Sequence, residues 1–298
     1  MSRGGKDMRF SAAVGYPLPM IDVVDVGAML EGKERYSPLL EEGLARVVGF
    51  EPNPEQFARL QGRPGPYRYY PVFLGNGQTA AFNITRYPGC CSLLRPDPSV
   101  IDLFQTIGCA DEGGNFRVTG SVPVETTRMD DLGDDFRMDY LKLDVQGSEL
   151  EILRHGTAKL ADAVVIETEV EFVPIYENQP LFGDIQCFLR DQGFVLHKLI
   201  DVAGRPFRPF KTANSRLPMS QLLWADAVFV RDFTKLDTYT DDGLLKAATV
   251  LDVVYASPDL VALLLAEFDR RRGTALFAAY TSTLNKRDIK LKCMNFKA

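Results

Sequence analysis

The sequence predicts an α/β fold built on a doubly wound, mainly parallel sheet, with a helical appendage at its C-terminal end. Three observations predict it. Short β-branched runs alternate with helical stretches along residues 21–232. Four of those runs stop at an acidic residue: Asp25, Glu51, Asp144 and Glu167. The 298 residues are 46% hydrophobic and 25% charged, enough to build a large single core.

After an N-terminal lead of residues 1–20, Ile21–Val26 reads as a buried parallel strand turning sharply at Gly27, with a helix expected over 36–43. Residues 45–51 form a second strand, stopped by Pro52-Asn-Pro54, and a helix follows over 55–60. The strand-like runs 67–74 and 79–86 flank Asn76-Gly77, a pair suited to the positive φ angles of a tight turn, so a hairpin is expected. Residues 88–120 are rich in Gly, Pro and Cys, with a short helix around 99–105, and read as a lid-like insert. The tip, Gly89-Cys-Cys-Ser92, is expected to approach a bound ligand.

A strand at 122–127 leads to Tyr140–Leu143, which runs into Asp144-Val-Gln-Gly147-Ser-Glu149 and a helix. Strands at 163–167, 194–200 and 224–230 and a helix at 183–192 complete the core, the last two strands pairing antiparallel. Residues 233–298 hold two helices, 243–255 and 258–272, the second opened by Ser257-Pro258 and stopped at Gly273. The tail adds Lys286, Arg287, Lys290, Lys292 and Lys297.

The net charge of −6 gives the surface as a whole no footprint for nucleic acid or an anionic membrane, so a small, separately bound partner is expected. Five cysteines, Cys90, Cys91, Cys109, Cys187 and Cys293, show neither C-x-x-C nor zinc-like spacing and read as reduced thiols, with no metal implied. No signal-like or membrane-spanning run is present, so a cytoplasmic protein without membrane insertion is expected.

In an open α/β sheet, ligands bind beyond the carboxyl ends of the strands. Glu51 stands there, some two dozen residues after Gly27, where a carboxylate accepts hydrogen bonds from ribose hydroxyls. An adenosine-containing ligand follows, either a dinucleotide or S-adenosylmethionine. The first turn, Gly27-Ala-Met-Leu-Glu-Gly32, is not G-x-G-x-x-G. Asp25 and Glu31 beside it would repel a pyrophosphate but suit a sulfonium and an ammonium.

The succession Val24-Asp-Val-Gly-Ala28, Val48-Gly-Phe-Glu-Pro52, Leu141-Lys-Leu-Asp-Val-Gln-Gly-Ser-Glu-Leu150 and Val164-Val-Ile-Glu167 resembles the FkbM family of S-adenosylmethionine-dependent methyltransferases. The similarity covers about residues 21–230. It implies a Rossmann-like class I methyltransferase fold and O-methylation of a hydroxyl on a sugar, glycan or natural-product acceptor. Asp25, Gly27, Ala28, Glu51, Pro52 and Asp144 are then expected to bind S-adenosyl-L-methionine, with Ser92 and Asp130 alongside. Two positions depart from the family pattern. The first turn has an extra residue before Gly32 and lacks the Asn usual after Gly-Ala, and Gln146 stands where Glu is common.

A hydroxyl acceptor must lose its proton, and Asp144, Glu167, Glu169 and His197 are candidate bases. Glu149 reads either as a dipole-complementing residue of the first helical turn or as part of the site, and His155 as a helix C-cap. The basic, proline-rich stretch 203–216, with Arg205, Arg208, Lys211 and Arg216, reads either as a solvated loop or as a grip on an acidic group of the acceptor. A non-catalytic nucleotide-binding or scaffold protein is the alternative function on the same fold.

Overall fold

The computed structural model describes residues 9–29, 32–110, 113–133 and 136–284. Glu31, Cys293 and the basic tail lie outside the described residues. The first half of the chain forms α1 (Phe10–Val14), β1 (Ile21–Val26), α2 (Ser37–Glu41), β2 (Ala45–Phe50), α3 (Pro54–Gln61), β3 (Tyr67–Tyr70), β4 (Phe73–Leu74) and β5 (Thr79–Thr85). Next come α4 (Pro98–Ile101), β6 (Val118–Thr127), β7 (Tyr140–Leu143), α5 (Glu149–Arg154), α6 (Thr157–Leu160), β8 (Val165–Glu171) and α7 (Phe182–Asp191). The chain then forms β9 (Phe194–Gly204), β10 (Leu222–Arg231), α8 (Asp241–Val253), α9 (Pro258–Arg272) and α10 (Leu276–Leu284).

Seven strands make the main sheet in the order β3-β2-β1-β7-β8-β10-β9. β1, β2, β3, β7 and β8 pair in parallel, and β10 lies antiparallel between β8 and β9. The strand order turns back between β1 and β7, which places the crevice at their carboxyl ends. Successive strand residues point to opposite faces. Along β1, Ile21 and Val23 therefore enter one core, and Val24 and Val26 the other.

The hairpin expected around Asn76-Gly77 does not form between its flanking runs. Gly77 does turn with a positive φ of 85°. Yet β3 joins the edge of the main sheet beside β2, and β6 separates β4 from β5 in a small sheet of its own. Local turn chemistry set the bend, and the long, ten-residue β6 offered both runs a better partner.

The C-terminal helices follow the sheet as expected and share its core. Leu244, Leu251, Leu264 and Tyr280 from α8, α9 and α10 pack with Phe10 of α1 over Ile21, Val47 and Val165 of the sheet. The packing runs without a break across the boundary expected at 232/233. Helices α5 and α7 cover the opposite face through Leu150, Ile185 and Leu189. The insert at 88–120 carries its own apolar cluster, in which Ile101, Phe104 and Phe116 pack against Tyr176 and Leu223. Among the described residues, no helix is long and apolar enough to cross a membrane.

Candidate functional site

The first turn is fixed by a close approach. Gly27 has φ +81°, and a Cβ there would lie 1.9 Å from the carbonyl oxygen of Asp144. Only glycine lets the exits of β1 and β7 cross at this distance. The backbone N–H groups of Gly27 and Ala28 donate to the Phe50 carbonyl at 3.0 and 3.2 Å, locking the turn onto the end of β2. One residue further, Glu51 is buried, with 6% of its surface exposed, and lines the crevice with Pro52. Its Oε1 accepts the Asn53 N–H at 2.7 Å, and burial pushes its pKa up. Asn53 in turn caps α3, so helix start and carboxylate are built as one unit.

Asp25 also lines the crevice, but both of its oxygens are engaged inside the protein. Tyr36 Oη donates to Oδ2 at 2.7 Å, and Lys142 Nζ lies 3.4 Å from Oδ1. Burial disfavours the Lys142 ammonium, but the charges of Asp25 and Asp144 outweigh it and push its pKa upward. Both oxygens of Asp25 are thus occupied within the protein, so toward the crevice it offers its field more than a free oxygen.

The turn from β7 to α5 holds the densest polar network. Glu149 is almost fully buried, and its Oε1 accepts the N–H groups of Val145 at 2.9 Å and Gly147 at 3.1 Å. Burial raises its pKa to about 7. Of its two sequence readings, the geometry supports a residue that closes the turn. Gln146, with φ +62°, sits at the centre. Its Nε2 donates to Asp144 Oδ1 at 2.9 Å and to Glu169 Oε2 at 2.7 Å, while its Oε1 accepts the Tyr176 hydroxyl at 3.2 Å. A glutamate there would lack the two-proton donor group that joins these acids. Ser92 Oγ donates to the Gln146 carbonyl at 2.6 Å, tying the tip of the insert to the turn. Gly89, Cys91 and Ser92 line the crevice, whereas Cys90 turns into the insert's core.

Across the crevice, Arg35 gathers three acids. Its Nε donates to both oxygens of Glu167 at 3.0 Å, and its Nη2 reaches Asp201 at 2.9 Å and Asp226 at 2.5 Å. Glu167 Oε2 further accepts the hydroxyls of Tyr140 at 3.0 Å and Tyr255 at 2.5 Å. Glu167 is 3% exposed, paired with a guanidinium and bonded to two tyrosine hydroxyls, which argues against it as the base. Asp226 is pushed up to about 7, first by burial and then by the Glu167 charge, with Arg35 opposing. Burial, followed by the charges of Asp144 and Glu171, holds Glu169 well above the usual carboxylate range. Asp144 keeps its side chain 41% exposed and lies outside the cluster that Arg35 gathers.

Three expected site residues fall elsewhere. His197 lies in β9 off the crevice lining, its Nε2 hydrogen-bonded to Ser257 Oγ at 2.8 Å. Burial lowers its pKa to about 4, so it is a packed, neutral histidine and not a base in the crevice. Asp130 caps α6 by accepting the N–H groups of Ala158 at 3.0 Å and Lys159 at 3.1 Å, away from the lining. Ala28 is buried behind the turn, off the crevice lining, and its backbone N–H bonds the Phe50 carbonyl. The arginines of the basic loop also turn inward. Arg205 donates to the carbonyls of Gly204 and Arg216, and Arg208 to those of Phe104 and Ile107. His155 does cap the end of α5.

Sequence reading passed over Arg35, Lys142, Asp226 and the bridging role of Gln146. Lys142 and Asp226 did carry a signal, each being a charge inside an apolar strand. Arg35 carried none.

The crevice encloses about 660 Å³, within the range of small-molecule sites. Eight carboxyl groups, those of Asp25, Glu34, Glu51, Asp144, Glu167, Glu169, Asp201 and Asp226, line it against the cations Lys33, Arg35 and Lys142. That balance opposes a pyrophosphate and suits a sulfonium ligand, with Glu51 placed for ribose hydroxyls and Gly27 for close backbone approach.

A comparison with curated proteins returns no match. Among solved structures, a candidate methyltransferase from Thermoplasma acidophilum is similar at 9% identity and TM-score 0.38, over 73% of this chain and 71% of that one. The magnesium protoporphyrin IX methyltransferase of Synechocystis PCC 6803, solved with its bound donor, gives 12% identity and TM-score 0.35 over 74% and 77% of the two chains. The LepI complex with S-adenosylmethionine gives 10% and 0.34 over 78% and 49%. The family model described as the methyltransferase FkbM domain matches residues 25–196, from the acid of the first strand into β9. The chain belongs to the FkbM domain family of methyltransferases.

Proposed function

We propose that this methyltransferase acts on a hydroxyl of a sugar, glycan or related natural product. The observation that carries the reading is Asp144, held by Gln146 beside Glu169 at the crevice, with its own carboxylate still accessible. When bound, S-adenosylmethionine, the donor proposed for this crevice, supplies an electrophilic methyl group. Glu51 holds the ribose end, and the acidic walls around Asp25 favour the cationic end. Asp144 receives the proton of the acceptor hydroxyl, and Gln146 fixes the orientation of its carboxylate. Glu169, raised by burial, stands next in line behind the same amide.

The test is methyl transfer from labelled S-adenosylmethionine to a panel of hydroxyl, amine and thiol acceptors, with the methylated atom located by mass spectrometry. Transfer to oxygen supports the reading. Transfer confined to nitrogen or sulfur, or donor binding with no transfer to any acceptor, overturns it.

A further inference from the structure

The loop between β9 and β10 combines two features. Phe207, Phe210, Leu217, Met219 and Leu222 all expose large apolar side chains, Phe210 at 64% and Leu217 at 60%. Residues 202–225 contain no Asp or Glu, and Arg208, Lys211 and Arg216 are exposed cations there. The protein as a whole carries −6, so this lobe opposes the net charge.

The loop is not a loose excursion. Arg208 braces it on the carbonyls of Phe104 at 2.7 Å and Ile107 at 2.8 Å, and Phe207 packs on Phe104 with ring centroids 4.6 Å apart. Arg205 spans it to the Arg216 carbonyl at 3.1 Å and lies over the Trp224 ring. The chain thus holds in place apolar side chains that find no cover, which marks a surface for something outside the molecule. Cations interspersed with exposed aromatic and aliphatic side chains are the chemistry of an interfacial anchor. A protein partner recognised through the apolar residues alone would not need the missing acids.

We propose that the 205–222 loop docks the protein on an anionic lipid surface. Phe207, Phe210, Leu217 and Met219 enter the headgroup boundary, and Lys211 and Arg216 face the lipid phosphates. The polarity of the molecule turns its acidic remainder away from such a surface. The crevice sits close by, because Asp201 on its lining lies in the same strand that feeds the loop. The net charge of the whole chain therefore hides a local basic footprint. The inference stands whatever the methyl acceptor is.

The full chain is sedimented with phosphatidylcholine vesicles with and without phosphatidylglycerol, at low and high salt. Binding to the anionic vesicles only, weakened by salt, is expected. Phe210→Ser with Met219→Ser, and separately Lys211→Glu with Arg216→Glu, should each cut vesicle partitioning by about tenfold or more. S-adenosylmethionine affinity and the thermal midpoint should stay unchanged, which separates lost docking from lost folding. No binding to anionic vesicles, or binding indifferent to both variant pairs, overturns the proposal. So does a dimer in sedimentation velocity that the Phe210→Ser pair dissociates, or binding to a single-stranded oligonucleotide without binding to vesicles.

Discussion

At the residue scale, the proposed function divides the site between Glu51, toward the donor, and Asp144, toward the acceptor. Glu51 is buried at the end of β2 with one oxygen on the Asn53 N–H, a geometry that fixes the direction of the carboxylate. Glu51→Ala is expected to weaken S-adenosylmethionine binding by about 1–3 kcal/mol, the range for lost charge-assisted hydrogen bonds, as read by isothermal titration. Unchanged affinity would remove Glu51 from the donor site. Asp144→Asn keeps the shape and removes the proton acceptor. Donor affinity should survive while turnover falls by about 100-fold or more, the scale of lost acid–base catalysis. Normal turnover on an identified acceptor would make Asp144 a structural strand end.

Among the elements around the crevice, the turn between β7 and α5 holds the densest polar network. Its shape depends on Glu149, whose buried carboxyl accepts two backbone N–H groups of the turn. The folded-state pKa of about 7 lies above the ordinary 4.5, so between these values the folded chain holds a proton that the unfolded chain has released. Its contribution to stability is full below about pH 4.5 and is lost as pH rises through 7. Glu149→Gln keeps an acceptor oxygen but does not titrate. From pH 5 to pH 8 the wild type should therefore lose on the order of 2–3 kcal/mol relative to this variant, compared through urea midpoints. Parallel curves for the two proteins would show that Glu149 does not titrate in this window. The insert bears on the same turn through Ser92 and the Gln146 carbonyl. Whether it moves as a lid is a proposal that hydrogen exchange with and without the donor tests, equal protection counting against it.

At the scale of the whole molecule, the C-terminal helices and the site form one structure. Tyr255, beyond the end of α8, reaches Glu167 at the crevice and Tyr140 in β7. The face of the sheet that α8, α9 and α10 cover includes Ile21, Val47 and Val165, all nearly inaccessible. A chain ending at residue 240 would expose that face and leave the Glu167 cluster without one of its donors. It is expected to collect in the insoluble fraction, or to retain far-ultraviolet circular dichroism without a cooperative thermal transition. A soluble fragment with a sharp transition and intact donor binding would show that the helices are dispensable.

Periodicity and turn chemistry act between neighbours a few residues apart, and that part of the protein was legible in the sequence. The apolar runs foretold β1, β2, β7 and β8, Gly27 the first turn, and acids at strand ends the places of Glu51 and Asp144 on the crevice. The expectation of a cationic ligand also came from residues adjacent to one turn. Tertiary structure alone decided which acids remain available. Arg35 reaches Glu167, Asp201 and Asp226 across sequence separations of 132, 166 and 191 residues, and that meeting converts a candidate base into a paired anchor. His197 looked reactive by type, and its burial against Ser257 made it neutral. The apparent hairpin at Asn76-Gly77 yielded to β6 in the same way. A pKa or a strand pairing depends on what surrounds a group in space, and those neighbours come from parts of the chain that no local pattern connects.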